Sequence, residues 1–266
     1  MLSLSTPFNS DLKKKSTIEA NICHKHMLII LEDYYCKGID NLPNIYDKLK
    51  SLRLKCDKID ETEQTQMEII SIDYNLGTIA FLRKQYGVAY EHLKKITLSH
   101  RSINETKCPL LIIRSCLMVI DIFVHYKYLD AALNIVRYLE KEGGNIIENS
   151  EKLASQDDQC LEISNHIVTG VCYNEHWKIN KIELDFLIKT YKAKIFSIDP
   201  KWGNRVEEEL KEAEKHIKNL HPDKMAGDKA MLKHLHSHYV SMLDSAKAYV
   251  VFKFNSFFIE TIIENA

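Results

Sequence analysis

The chain has 266 residues, 45% hydrophobic and 27% charged, with a formal net charge of −1 at pH 7. That balance excludes a disordered polypeptide. Because basic and acidic residues interleave throughout, there is no broad basic field to collect phosphates, and nucleic acid is not an expected direct ligand. The longest apolar runs, such as Met27 to Leu31, Leu110 to Ile113 and Leu117 to Ile120, fall far short of the roughly 20 residues that cross a bilayer.

The N-terminus is polar and broken by Pro7 ahead of Lys13, Lys14 and Lys15, so charge, apolar core and cleavage site are not in signal-peptide order and a secretory route is not expected. Seven cysteines, Cys23, Cys36, Cys56, Cys108, Cys116, Cys160 and Cys172, are odd in number and never form C-x-x-C; they read as reduced intracellular thiols. Only eight glycines and five prolines occur, and few segments alternate apolar with polar residues, which predicts an all-α fold.

In chain order, residues 1–16 read as a flexible segment and the first helix covers Thr17 to Tyr35. A turn at Gly38 to Asn41 leads into a second helix with Pro43 in its first turn. Leu42, Ile45, Leu49, Leu52, Cys56 and Ile59 step along it by threes and fours, with Lys48, Lys50, Arg53 and Lys55 between them as a solvated face. A polar break at Asp57 to Gln66 follows.

Next, Met67, Ile70, Tyr74, Gly77 and Phe81 mark one helix face, and Tyr86, Ala89, Tyr90, Leu93 and Ile96 mark the next. Leu76-Gly77, Ala80, Tyr86, Ala89 and Leu93 stand at the intervals of a tetratricopeptide repeat. In such a hairpin the two backbones approach closely, so each helix needs a small residue at the crossing; Gly77 and Ala89, twelve residues apart, supply them. The expected architecture is therefore a tetratricopeptide-like array of antiparallel helix hairpins, an α-solenoid.

After a polar linker from Ser99 to Lys107, Pro109 opens a helix that is apolar from Leu110 to Phe123 except at Arg114, Ser115 and Asp121, and so is packed on more than one side. Its partner runs from Tyr128 to Glu142, with Tyr128, Ala132, Ile135 and Leu139 on one face and Leu129, Leu133 and Val136 beside them; Gly143-Gly144 is expected to end it. Ala132 takes the role of Ala89 at a distance of 43 residues, where the regular period is about 34, and the polar linker accounts for the excess. Residues 17–142 thus form the first part of the array, 143–178 a variable linker, and 179–266 a continuation of the repeats. There an apolar pattern returns from Ile179 to Ile198, and Pro200 breaks it. Val206, Leu210, Ala213, Ile217 and Leu220 then form a stripe with Asn204 as N-cap and Glu207 as its first-turn partner, stopped by His221-Pro222. The last segment is dense in apolar residues, among them Tyr249, Val250, Phe252, Phe254, Phe257 and Phe258; a solenoid end without a polar cap is expected to meet another chain or further repeats.

Neither a Walker loop, G-x-G-x-x-G nor G-x-S-x-G occurs, and no catalytic, cofactor-binding or metal-binding residue is assigned. His234, His236 and His238 form the strongest metal-like cluster, but Leu235 stands where H-E-x-x-H needs its glutamate, and a histidine-rich surface is the simpler reading. Cys23, His24 and His26 lack a second pair at zinc-finger distance. Glu207, Glu208 and Glu209 read as a solvated helix face, and Lys13 to Lys15 as a basic tail. No cofactor is expected.

Three stretches in order resemble the subunit-10 proteins of the Ccr-Not mRNA deadenylase complex, over most of residues 20–220. They are Leu31-Glu32-Asp33-Tyr34-Tyr35 followed by Gly38 and Asp40-Asn41-Leu42; Tyr74-Asn75-Leu76-Gly77 with Tyr86, Ala89 and Leu93; and Val119-Ile120-Asp121-Ile122-Phe123 followed by Ala131-Ala132-Leu133, Leu139, Glu140 and Lys141. Beyond the linker, Tyr191-Lys192-Ala193-Lys194 is similar to the start of the family's following repeat. The chain departs from the pattern at Ile96, where the general repeat has a small residue, and it is shorter than the family. The resemblance implies a non-catalytic scaffold that works with the large Not subunit and the subunit-11 protein in the cytoplasm and nucleus, supporting deadenylation, mRNA turnover and translational repression. From another class comes a tetratricopeptide adaptor that captures a peptide tail or a chaperone; it needs Lys, Arg and Asn along its groove, and the inner positions here are mostly apolar or tyrosine.

Overall fold

The computed structural model describes residues 8–59, 63–98, 109–156, 180–199, 202–224, 233, 236–237 and 239–251. Nearly all of these are helical, and no strand occurs among the described residues, so the fold is all-α. The chain divides into two units, Met1–Val119 with Glu148–Trp177, and Ile120–Ile147 with Lys178–Ala266. Among the described residues no helix is long and apolar enough to cross a membrane.

The first unit holds α1 (Phe8–Lys37), α2 (Leu42–Cys56), α3 (Glu63–Leu82), α4 (Tyr86–Leu98) and the start of α5 (Pro109–His125). Helix α1 begins well before Thr17, so part of the expected N-terminal tail is helical. Gly38, at φ +69°, closes α1 with its N–H on the Tyr34 carbonyl at 2.7 Å, a left-handed position that a side chain would strain. The α2 stripe is buried as its spacing predicts: Leu42, Ile45, Leu49, Leu52 and Cys56 meet Cys23, Met27 and Leu31 of α1 and Ile72, Leu76 and Ile79 of α3 in one apolar cluster. Cys56 is buried there beside Cys23, and burial with that neighbour pushes its thiol up to about 12. Such a thiol is inert at neutral pH.

Helix α3 departs from the expected single apolar face. Every residue from Ser71 to Ala80 is buried, polar ones included. The reason is position: α3 has α1, α2 and α4 as neighbours, and Thr78 Oγ1 points at Met118 Sδ of α5. Its polar side chains are therefore bonded inside the protein. Asn75 donates to the Ser71 carbonyl at 2.9 Å, and Glu68 Oε2 meets His24 Nδ1 of α1 at 3.0 Å.

The crossing of α3 and α4 forms as the sequence predicts. A Cβ on Gly77 would lie 2.7 Å from Leu93 Cγ and Cδ2 and 3.3 Å from His92 Cβ, while Ala89 is fully buried on the other helix. Glycine here removes the atom that would separate the backbones.

The second unit holds the end of α5, most of α6 (Leu129–Gln156), α7 (Lys181–Phe196), α8 (Gly203–Asn219) and a helical stretch at 239–251. Gly143-Gly144 does not end α6, which continues to Gln156. Gly143 lies where Leu184 of α7 crosses and a Cβ would strike the Leu184 side chain, so the residue serves close approach rather than chain reversal. The linker expected from 143 is thus helical at its start; residues 157–178 lie outside the described residues. Tyr128, expected on the buried face, is 61% exposed because it belongs to the turn, whereas Ala132, Leu133, Val136 and Leu139 are buried. Helix α7 is capped by Asn180, whose side chain accepts the Glu183 N–H at 2.8 Å, and is buried on most sides. For α8 the cap is Trp202, not Asn204: the Trp202 ring stacks on Phe196 at 5.4 Å with Arg205 over it at 5.2 Å, which starts the helix before Asn204 is reached.

The turns after α3 and α5 have one geometry. Lys84 and Lys127 both take left-handed φ, +58° and +61°. Each donates three residues back, to Phe81 and Val124, and the next residue, Gln85 or Tyr128, donates five residues back, to Ala80 or Phe123, at 2.9 and 2.8 Å. This is the Schellman closure of a helix. In both cases a fully buried alanine, Ala89 or Ala132, follows the left-handed lysine by five residues.

Two alanine substitutions separate close approach from helix propensity. Gly144 has open space around its Cβ position, so Gly144→Ala is expected to raise stability by about 0.5–1 kcal/mol. Gly77→Ala gains the same propensity but must displace Leu93, and is expected to lower stability by about 1–2 kcal/mol. Urea midpoints measured by circular dichroism distinguish the two.

Candidate interaction site

Helix α1 is apolar on two sides. One faces the core; the other carries Ile18, Ile22 and Ile29, which are 60%, 48% and 62% exposed, with exposed Lys25 and His26 between the second and the third. Beside them a groove of about 510 Å³ opens between α1 and α2, lined by His26, Ile29, Ile30, Asp47, Lys48, Ser51, Leu52 and Lys55. Leu52 and Ile30 form its floor because each belongs to the edge of a core stripe. Asp33 of α1 binds Lys48 of α2 at 2.6 Å and, within its own helix, Lys37 at 3.2 Å. Those two lysine hydrogen bonds hold the Asp33 carboxyl below the usual carboxylate range.

A denser cluster of charge lies inside the same unit. Asp73 of α3, 2% exposed, receives Arg53 Nε of α2 at 3.2 Å, His92 Nδ1 of α4 at 2.8 Å and Lys95 Nζ of α4 at 3.4 Å. Burial alone would push its carboxyl up, but the His92 hydrogen bond and the charges of Arg53 and Lys95 outweigh it and hold the group below its ordinary value. An ionised Asp73 only accepts, so the proton sits on His92 Nδ1; in the neutral ring Nε2 then accepts from the Tyr46 hydroxyl at 3.3 Å. The Tyr46 ring lies under the Arg83 guanidinium at 5.9 Å, and burial pushes its phenol up. Tyr46, His92 and Asp73 thus form a hydrogen-bonded chain across α2, α4 and α3. Its ends are closed, one by Arg83 and the other by Arg53 and Lys95, and what it does is hold three helices in register.

The residues singled out by sequence are dispersed. His24 bonds Glu68, Cys23 is buried in the core, and His26 lines the groove. His234 and His238 lie outside the described residues; His236 meets the His221 ring edge-on at 5.1 Å. Among the described residues no group of three or more His, Cys, Asp and Glu is arranged to hold a metal ion. Glu207 and Glu208 are exposed, but Glu209 corrects the reading of a wholly solvated face: it binds Lys189 of α7 at 3.0 Å, because the α7–α8 packing covers that edge of α8. Lys15 is exposed; the side chains of Lys13 and Lys14, and the aromatic residues from Phe252 onward, lie outside the described residues.

Sequence reasoning missed Arg53 and Asp73. Arg53 was read with the solvated lysines of α2, yet it turns inward. The available signal was Asp73, an acid in the middle of an otherwise apolar helix, which demands a cation from a neighbour. The groove had no signal of its own, since it arises only when two helices lie side by side.

Compared with known proteins, the chain matches no family model, no curated sequence and no solved structure.

The Asp73 cluster gives stability a definite pH dependence. A carboxyl whose folded pKa is depressed contributes above the unfolded value of about 3.9 and loses that contribution as pH falls through the folded value. Asp73→Asn is expected to cost roughly 2 kcal/mol at pH 7, because the buried acceptor that Arg53 and His92 meet loses its charge, while Lys95 is half exposed and Arg53 keeps Asp57. The gap to the parent should narrow below about pH 4. Urea titrations at a series of pH values read both; a gap independent of pH would assign the stability to packing.

Proposed function

We propose that this chain is a non-catalytic scaffold of tetratricopeptide-like hairpins that serves in the Ccr-Not complex as the N-terminal part of a subunit-10 protein. The observation that carries the scaffold reading is the recurrence of one hairpin closure, Lys84-Gln85 and Lys127-Tyr128, each followed after the same interval by a fully buried alanine. A repeated turn with a repeated crossing residue is what an array built from one supersecondary unit requires. The choice of complex rests on the three ordered stretches around Leu31 to Leu42, Tyr74 to Leu93 and Val119 to Lys141.

In this role the chain supports poly(A) shortening and translational repression by holding other subunits, with the large Not scaffold subunit and the subunit-11 protein as its partners, in cytoplasm and nucleus. It needs no cofactor and no small-molecule substrate, and it leaves RNA to the subunits it assembles.

Affinity purification of the tagged chain from its native cells, with nuclease treatment to remove RNA bridges, tests this. Recovery of the large Not subunit and the subunit-11 protein is the expected result. Recovery of chaperones alone would favour the peptide-tail adaptor, and absence of every deadenylase subunit would overturn the assignment.

A further inference from the structure

We draw no further inference here: the strongest candidate, the exposed aromatic patch of His125, Tyr126 and Tyr128 at the corner between α5 and α6, carries none because nothing in the structure shows what covers it.

Discussion

A carboxylate removed from water must be met by cations and hydrogen-bond donors, and Asp73 sets that condition for the first unit. Helix α3 is buried along its middle, so Asp73 has no solvent to turn to, and its partners come from both neighbours: Arg53 from α2, His92 and Lys95 from α4. Hydrophobic burial brings the helices together without specifying how far each slides along the next. Directional contacts do specify it. The two oxygens of Asp73 are occupied from opposite sides, and the His92 ring passes the constraint on to Tyr46, so α2 and α4 are indexed to the same point on α3. The second unit has a counterpart in Glu183 of buried α7, which accepts the Tyr239 hydroxyl.

Glycine acts through two opposed effects in this chain. At Gly38 it permits a left-handed turn, while at Gly77 and Gly143 it sits inside helices, where its propensity is poor, because a neighbouring leucine occupies the space of a side chain. The loss of about 1 kcal/mol in helix propensity at such a position is offset by closer contact along the whole crossing. Local sequence cannot distinguish these uses, which is why Gly143-Gly144 reads as a terminator.

Most of the helices were legible because their signals are local. The α2 and α4 stripes, the turn at Gly38, the start at Pro109 and the Gly77–Ala89 crossing follow from spacing alone. What was not legible depends on neighbours. Arg53 lies in sequence among lysines that face water, and only the presence of Asp73 across the interface turns it inward. Asn204 has the chemistry of a cap, but the stacked pair Phe196–Trp202 places the helix start upstream of it. Glu209 looks like its two acidic neighbours until α7 brings Lys189 against it. The groove between α1 and α2 is a property of a pair of helices, and each helix read singly shows only its own core stripe.

The turn shared by Lys84 and Lys127 has a consequence for how the chain reaches its structure. Each closure bonds residues no more than five apart, and each ends one helix and starts the next across a three-residue corner. Contacts so near in sequence lose little loop entropy on forming, so each corner can close before the contacts that join distant helices. The left-handed lysine at each corner is thus the place where a local bond begins what the distant contacts of α1, α2 and α3 complete.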